Sequence, residues 1–469
     1  MNPLTLIIDQ GTHATRALAF DASGRVQAAA HCPVTLRRRG PDRAEQDARE
    51  IVASLHQVVR HILAEDVVRR AGIARAGLAS QRSSVAAWDR ETGEPLAPVI
   101  SWQDRRAAGW LAQFAGNEPV IKEKTGLPLS PHYGASKLRW LLDHVPAVQQ
   151  ARQNGRLAFG PLASFLLTHL LRGRPLLVDH ANANRTQLWH IDYRDWDPWL
   201  LDLFGIPAEL LPECRPIVHE YGKMALTNVP VTAVNGDQNA AVYALGRPEK
   251  DTAVINLGSG AFVLVSTGRR RISHPALLTG LTSSTALVGE YTLEGTVNGA
   301  GSALSWAGEQ WGIPDISAHL DEWLARPEEP PIFLNSIGGL GSPFWRPGPE
   351  PVIVGAGALW QRVVAVVESI LFLVQINLDE MRAAGAVPRR IYVSGGLAQA
   401  DNLCQRLADL SGCPVYRPVV TEATARGAAW LAAGRPSHWP ELPPGRQFDP
   451  RPNTALADRY WRFRELMAL

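Results

Sequence analysis

Near the start of the chain, one short stretch brings together a carboxylate, a glycine, two hydroxyls and a cation. Asp9 ends an apolar run, and Gly11 lets the backbone come close to a ligand. Thr12 and Thr15 add hydroxyls beside exposed N–H groups, and Arg16 adds positive charge. Because a carboxylate can hold a hydrated metal ion while hydroxyls and N–H groups bind phosphate, the stretch predicts a phosphate-and-magnesium site. Taken alone, it is equally compatible with a surface hairpin that has a polar tip.

The elements that would position this tip are two strands. Apolar runs at 4–8 and 17–20 flank it, and a turn follows at 21–24, a pattern that predicts a β-hairpin. The same pattern of strand, glycine-hydroxyl tip and strand recurs at 254–266. Two such hairpins about half a chain apart predict two related domains that face each other across a nucleotide.

A second carboxylate, Asp237, lies in a glycine-led loop directly after the strand-like run 229–234. An aspartate after a glycine is commonly a turn former, and spacing alone favours that interpretation. We place the domain boundary here, which predicts domains at 1–235 and 236–469. Strands and helices alternate along both parts, which indicates an α/β architecture.

Five motifs along the chain resemble, in order and rough spacing, those of the FGGY carbohydrate kinases. They are DQGT from Asp9, GDQNAA from Gly236, LGSGAF from Leu257, SGGLAQADN from Ser394 and TEATARGAAW from Thr421. Within that family, Gln81-Arg82, Ser101-Trp102-Gln103 and the run 137–143 resemble the glycerol kinases most. The resemblance covers nearly the whole chain and implies two RNase H-like domains of the actin-like ATPase type, with a cleft between them.

The resemblance implies an ATP-dependent kinase that phosphorylates a terminal hydroxyl of a small polyol or sugar, with ATP and Mg²⁺ as cofactors. It makes Asp237 the general base and a metal-site residue, and Asp9 the carboxylate that orients magnesium through water. It implies a set of residues around the nucleotide: Thr12, His13, Arg16, Gly258, Ser259, Gly260, Gly299, Gly395, Gly396 and Asp401. The assignment of Asp401 to adenine depends on a loop that has one extra residue.

On the acceptor side, the resemblance implies a second set of residues: Arg82, Ser83, Trp102, His132, Asp237, Gln238 and Phe262. Trp102 and Phe262 fit a simple core position equally well, because lining a pocket and filling a core require the same residue types.

Three departures from the glycerol-kinase pattern concern the substrate more than the fold. Ser83 replaces a glutamate that would accept a hydrogen bond from a diol. Such a bond to a charged group is worth ~1.5–3 kcal/mol, so its loss should weaken glycerol binding roughly 10- to 150-fold. The family tyrosine aligns with His132, although the adjacent Tyr133 could substitute for it. The segment 352–359 is shortened and lacks a Thr-Arg pair. Glycerol, a tetritol, a pentitol and a ketopentose therefore all remain candidate acceptors.

Two other functions stay open at this point. An actin-like ATPase or chaperone shares the two hairpins but has no need of Arg82, Trp102 and Asp237 in sugar-site order. A catalytically degenerate family member could serve as a sugar-binding sensor. Intact Asp9 and Asp237 argue against that second alternative.

Composition limits the remaining classes. The chain has 469 residues, of which 47 are basic and 45 acidic, and this net charge of +2 argues against nucleic acid as a partner. The N-terminus lacks a signal-like segment, and the apolar stretch 363–376 is too short to span a membrane. The four cysteines form no metal or disulfide pattern. We therefore expect a cytoplasmic enzyme with no membrane partner, and a homodimer is left open.

Overall fold

A computed structural model describes residues 2–249, 251–419, 422–437 and 445–468. The chain divides into two compact units. The first comprises residues 1–247, 280–290 and 422–440, and the second comprises 248–279, 291–421 and 441–469. The predicted division at residue 235 stays a prediction.

Strands and helices alternate through both units, as the sequence pattern predicts. The strands are β1 (Leu4–Gln10), β2 (Ala14–Phe20), β3 (Val26–Pro33), β4 (Leu36–Arg38), β5 (Ala44–Gln46), β6 (Ile73–Ser80), β7 (Val85–Asp89), β8 (Val99–Ile100), β9 (Leu157–Pro161), β10 (Leu177–Asp179), β11 (Trp189–His190), β12 (Asp195–Trp196), β13 (Glu213–Arg215), β14 (Val218–Lys223), β15 (Pro230–Gly236), β16 (Thr252–Leu257), β17 (Ala261–Gly268), β18 (Leu278–Ser284), β19 (Gly289–Val297), β20 (Ile332–Leu334), β21 (Val352–Val354), β22 (Arg390–Ser394), β23 (Val415–Arg417) and β24 (Arg446–Phe448). The α-helices are α1 (Ala48–Ala64), α2 (Asp66–Ala71), α3 (Ala108–Leu111), α4 (Glu118–Thr125), α5 (Gly134–His144), α6 (Pro146–Gln153), α7 (Leu162–Leu170), α8 (His180–Asn184), α9 (Pro198–Phe204), α10 (Asp237–Ala241), α11 (Gly301–Trp311), α12 (Leu320–Ala325), α13 (Leu359–Ala383), α14 (Asp401–Ser411), α15 (Ala423–Ala432) and α16 (Thr454–Leu466).

The main sheet of the first unit has the strand order β14–β15–β6–β1–β2–β3. The predicted hairpin is present, with β1 and β2 antiparallel, while β1, β6 and β15 run parallel to one another. The ends of these three parallel strands therefore meet at one edge, where Gln10 and Gly236 both lie opposite Ser80. This edge positions the candidate site.

Helices cover the two faces of this sheet. Successive side chains of a strand point to opposite faces. Leu6 and Ile8 of β1 share a core cluster with Leu55 of α1. Ile7 points the other way, because a Cβ on Gly77 would touch both Ile7 and Ala432 of α15. The apolar residues 6–8 of β1 are thus buried between α1 and α15.

The second unit repeats the hairpin arrangement, with its strands in the order β19–β17–β16–β22–β23–β24. Strands β16 and β17 are antiparallel, and β22 runs parallel to β16, as β6 does to β1. Both predicted hairpins are therefore confirmed. The sequence also predicts a long buried helix from about 359 to 382, and α13 confirms it.

Helix α13 is the only helix among the described residues that is long and apolar enough to cross a membrane. Of its most apolar window, 78% is buried inside the protein. The helix extends well beyond the apolar stretch 363–376, so the prediction that this region is too short to span a membrane was wrong, and the helix packs in the protein core.

The sequence predicts a helix over 192–203 and a second helix capped by Asp401, and both of these local predictions were wrong. The segment 192–203 contains a turn and strand β12, and its helix α9 begins only at Pro198, where the Asp197 carboxylate caps the Leu200 N–H. Asp401 does not cap α14. Ala400 occupies the cap position, because the Asp401 carboxylate is paired with arginines instead.

Candidate active site

The tip of the first hairpin, residues 11–13, is held mainly by side-chain amides. The Gly11 N–H donates to the Ala14 carbonyl at 2.9 Å. Gln46 Nε2 donates to the Thr12 carbonyl at 2.7 Å, and Gln81 Nε2 donates to the Gly11 carbonyl at 3.3 Å and to Gln46 Oε1 at 2.8 Å. Both glutamines are buried. The backbone of the tip is thus fixed while its outward face stays open.

The three side chains predicted to contact the nucleotide here differ in their surroundings. His13 is exposed and Thr12 is partly exposed. The Thr12 hydroxyl accepts a hydrogen bond from Trp102 Nε1 at 3.0 Å, which joins a predicted phosphate residue to a predicted acceptor residue. Arg16 lies opposite Asp9 in the hairpin and forms an ion pair with Glu422 at 2.7 Å. Its guanidinium already has a carboxylate partner in the first unit.

The ends of β1, β6 and β15 bring Asp9, Arg82 and Asp237 to one edge. Asp237 is the first residue of α10, directly after β15. Arg82 Nε lies 3.8 Å from Asp237 Oδ1, and Arg82 Nη1 donates to Asn239 Oδ1 at 2.9 Å. A Cβ on Gly236 would come within 2.6 Å of the Arg82 side chain. Gly236 is therefore a glycine because Arg82 packs directly over its Cα.

The two carboxylates at this edge interact. Asp9 is only 9% exposed, and burial together with the negative charge of Asp237 raises its pKa to about 7. Arg16 opposes that shift, and Glu422 adds to it. Two neighbouring carboxylates, one of them buried and with a raised pKa, are a place where a cation is favourable.

The donors present fit a magnesium ion of a particular kind. Among the described residues, there is no group of three or more His, Cys, Asp or Glu side chains that could hold a metal. Mg²⁺ commonly keeps several waters and binds through one or two carboxylates and the substrate phosphates. Asp9 and Asp237 supply such a sparse set, consistent with contact through water.

The acceptor-side residues of the first unit lie on three loops near the same edge. Ser83 follows β6, is buried, and has a left-handed backbone with a φ of 65°. Trp102 follows β8, and its ring meets that of His132 edge to face, with centroids 5.4 Å apart. His132 is partly exposed, whereas Tyr133 is 2% exposed. His132 and not Tyr133 is therefore the ring available beside Trp102.

Two residues that tie this region together were missed as site residues. Gln46 gives no motif signal, although a glutamine that ends a short strand and is fully buried must hydrogen bond something. Lys137 was noticed only as part of a motif. Its Nζ donates to the Ser83 carbonyl at 2.9 Å and to the His132 carbonyl at 2.5 Å.

The tip of the second hairpin, residues 258–260, is held by backbone groups. The N–H groups at the start of α11 donate to it: Gly301 N to the Gly258 carbonyl at 2.9 Å and Ser302 N to the Ser259 carbonyl at 3.0 Å. A Cβ on Gly301 would lie 2.8 Å from that Gly258 oxygen. Ser259 is exposed at the apex. The backbone that carries the Ser259 hydroxyl is therefore held by hydrogen bonds from other backbone groups.

The other predicted residues of the second unit lie on β17, directly after β19 and β22, or at the start of α14. Gly395, directly after β22, has a φ of 100°, and a side chain there would overlap the Leu257 carbonyl. Gly396 is exposed, with open space around its Cα. Gly299 is buried against Asn335, and Phe262 lies partly exposed on β17. Asp401 is paired with two arginines, at 2.8 Å in the case of Arg417. In the first unit, Gln238 lies beside Asp237 on α10.

Comparison with known proteins decides the family. The N-terminal domain of the FGGY family of carbohydrate kinases matches residues 4–244, and the C-terminal domain of that family matches residues 253–434. The chain belongs to the FGGY family of carbohydrate kinases. The two-domain architecture of this FGGY kinase is the actin-like ATPase fold, as predicted.

The FGGY kinase is 35% identical to a glycerol kinase from Brucella ovis over 456 residues, which cover 94% of this chain and 92% of that protein. It is 39% identical to a glycerol kinase from Alkalilimnicola ehrlichii over 447 residues, covering 91% of this chain and 89% of the relative. In fold it is similar to Plasmodium falciparum glycerol kinase with ADP, with a TM-score of 0.91 and 24% identity over 100% of this chain and 99% of that one.

A xylulose kinase from Brucella ovis has a similar fold, with a TM-score of 0.89 and 21% identity over 99% of each chain. Family membership makes this protein a carbohydrate or polyol kinase, a transferase that uses ATP. The prediction of an enzyme of this class is confirmed. The identity of the acceptor and the roles of individual residues remain predictions.

Proposed function

We propose that this kinase transfers the γ-phosphoryl group of ATP to a terminal hydroxyl of a small polyol or sugar, with Asp237 as the general base. The observation that carries the proposal is the meeting of Asp9, Arg82 and Asp237 at the common edge of three parallel strands. The Arg82 side chain fixes the direction of the Asp237 carboxylate, and the coupled Asp9 carboxylate provides a place for positive charge.

The chemistry follows from what phosphoryl transfer requires. An alcohol is a poor nucleophile while it keeps its proton, and a positioned carboxylate that accepts the proton contributes about 10²–10⁴-fold. Asp237 is partly exposed, so an acceptor hydroxyl can reach it. Arg82 Nε lies 3.8 Å from the same carboxylate and forms an ion pair with it.

The nucleotide side is assigned to the two hairpin tips. Bound Mg²⁺ would neutralise the charge on the β- and γ-phosphates, with Asp9 and Asp237 as its protein carboxylates. The Thr12 and Ser259 hydroxyls, each on a fixed tip, would donate to phosphate oxygens. We assign Gly258, Gly260, Gly299, Gly395 and Gly396 to the close approach of the nucleotide.

The chemical class of the acceptor is inferred from the side chains of the acceptor-side residues. In the first unit, Arg82, Trp102 and His132 supply donors and apolar ring faces, which suit a polyol with alternating hydroxyl and carbon surfaces. Phe262 of the second unit is assigned to the acceptor by the family resemblance alone. Ser83 offers no carboxylate, so glycerol is only one of four candidates beside a tetritol, a pentitol and a ketopentose. We place the enzyme in the cytoplasm. For its oligomeric state, a homodimer is left open.

The test is ADP release measured with glycerol, erythritol, pentitols and pentuloses in turn. We expect one acceptor to stimulate ADP release strongly, and Asp237→Asn to reduce that rate about 10²- to 10⁴-fold with little change in either KM. Asp202→Asn, an exposed aspartate of α9 in the same unit, is the matched control and should retain wild-type rates.

Two outcomes would contradict the proposal. ADP release that is equal with and without every acceptor would identify an ATPase. Acceptor binding in calorimetry without any turnover would identify a sugar-binding sensor.

A further inference from the structure

Lys137 occupies a position that is unfavourable for a lysine on two counts. It lies in the first turn of α5, where the positive end of the helix dipole repels a cation. It is also only 1% exposed, and this burial lowers its pKa to about 7. Neither helix formation nor solvation stabilises a buried amine here. The stabilisation must therefore come from the groups that accept its hydrogen bonds.

Those acceptors are three backbone carbonyls. Nζ donates to Ser83 O at 2.9 Å, to His132 O at 2.5 Å and to Trp102 O at 3.5 Å. An ammonium has three N–H groups, one for each carbonyl. The three carbonyls belong to three separate loops, which follow β6, follow β8 and precede α5.

The helix that carries Lys137 is itself fixed at its start. The Gly134 N–H donates to the Arg185 carbonyl at 3.1 Å, and the Ala135 N–H donates to the Thr186 carbonyl at 2.7 Å. A Cβ on Gly134 would lie 3.0 Å from Thr186 Cα, so the helix start packs tightly against that segment. Lys137 therefore connects the three loops to a helix whose first residues are held in place.

Ser83 shows that one of these loops needs to be held. Its backbone has a φ of 65°, a conformation that costs a non-glycine residue free energy and persists where surroundings enforce it. Its hydroxyl is buried without a hydrogen-bond partner in the structure, so the side chain does not hold it. Its carbonyl does have a partner, Lys137 Nζ, and Ser83 directly follows Arg82.

We propose that Lys137 is a positioning residue of the acceptor site, whose amine fixes the loops of Ser83, Trp102 and His132 in their working arrangement. The inference rests on the proposed function, because that function makes these loops the acceptor side. Lys137 acts through the backbone of other residues and touches no reacting atom.

The experiment compares steady-state kinetics of Lys137→Met, Lys137→Gln and the wild type, with glycerol or whichever compound of the acceptor panel the wild type uses best. Met keeps the length of the side chain without its donors, so we expect the acceptor KM to rise about 10- to 100-fold. The KM for ATP should stay within about twofold. Gln restores two N–H donors without charge and should recover part of the loss.

Lys124→Met is the matched control. Lys124 is a partly buried lysine of the same unit whose Nζ pairs with Asp197 at 2.8 Å and donates to none of the three loop carbonyls. Its loss should lower stability without changing the acceptor KM. If Lys137→Met and Lys124→Met change thermal stability alike and neither changes the acceptor KM, Lys137 is only structural and the inference is overturned.

The wild type provides a second readout that needs no variant. The charged groups that face Lys137 are Asp104 and Arg106, which pair with each other at 2.7 Å. Above about pH 7 the amine loses a proton and turns a lone pair toward the carbonyls. We expect the acceptor KM to rise as pH increases from 6.5 to 8.5, and a flat profile in Lys137→Gln.

The outcomes separate the two proposals. Turnover by the wild type with an unchanged acceptor KM in Lys137→Met overturns this inference and leaves the proposed function intact. A wild type that binds no compound of the panel in calorimetry overturns both. If Lys137→Met does not fold, Lys137→Gln and the wild-type pH profile decide, and a pH-independent acceptor KM counts against the inference.

Discussion

The two hairpins of this kinase share a sequence pattern and differ in what supports them. In the first, Asp9, Gly11 and Thr12 occupy the positions that Asn256, Gly258 and Ser259 occupy in the second. The first tip is held by the side-chain amides of buried glutamines, whereas the second is held by backbone N–H groups. One local scaffold is thus used in two ways.

The charge differs as well. Asp9 is a buried carboxylate with a raised pKa beside a second carboxylate. Its counterpart Asn256 is neutral and donates from Nδ2 to Ser394 Oγ at 3.1 Å. The first hairpin therefore carries the charged chemistry, and the second presents a neutral, tightly packed surface. A repeated sequence motif therefore predicts a repeated fold more reliably than it predicts a repeated chemical role.

The largest expected effect concerns the charged hairpin. Asp9→Asn should lower kcat/KM by about 10²- to 10³-fold, because the carboxylate that favours a cation is lost. The same variant should be more stable than the wild type at pH 8 in magnesium-free buffer, by about 1–3 kcal/mol. Urea unfolding and ADP release measure the two effects.

The sign of that stability change follows from the pKa. The folded chain keeps the Asp9 proton up to about pH 7, while the unfolded chain releases it near 3.8. Stability is therefore lost as the pH rises through this window, and asparagine removes the loss. A stability gain that is equal at pH 4 and pH 8 would contradict this explanation.

The next effect concerns the backbone-supported hairpin. Gly301→Ala would place a Cβ 2.8 Å from the Gly258 carbonyl oxygen and should destabilise the protein by about 2–3 kcal/mol. Gly396→Ala, at an exposed position with open space around it, is the control and should change stability by less than about 0.5 kcal/mol. Equal unfolding midpoints for the two variants in urea would show that the second tip tolerates movement.

The smallest effect concerns the corresponding glycine of the first tip. A Cβ on Gly11 would lie 3.5 Å from the Ala14 carbonyl, an ordinary contact, so Gly11→Ala should cost less than about 1 kcal/mol. We expect a rise in the KM for ATP without a change in the unfolding midpoint. A loss of stability as large as that of Gly301→Ala would remove the distinction between the two tips.

The strongly periodic parts of the fold were predictable from the sequence. Apolar runs around a glycine predicted both hairpins, and helical spacing predicted α13. Helix α9 was misplaced because a two-residue strand and a turn precede it, and neither has a periodicity that can be read. Asp401 was misassigned as a cap because its partners, Arg417 and Arg446, lie far along the chain and pair with it only after folding.

For the site, residue type and motif order pointed to Asp9, Arg82 and Asp237, and the parallel strands bring these three to one edge. The roles of Gln46 and Lys137 could not be predicted, because each acts on backbone carbonyls, which any residue provides. Gly395 was assigned to the approach of a ligand. In the structure it is also required by the approach of the chain to itself, as is Gly301, to which no role was assigned.

Helix α15 has a consequence for how the protein is made. Although it belongs to the first unit, it lies late in the sequence and covers the sheet at Ile7 and Gly77. Its Arg426 side chain donates to the carbonyls of Gly24 and Ala244. On the ribosome, the first unit therefore cannot close when its first 247 residues have emerged. It must wait, with one face of its sheet uncovered, until nearly the whole chain has been synthesised.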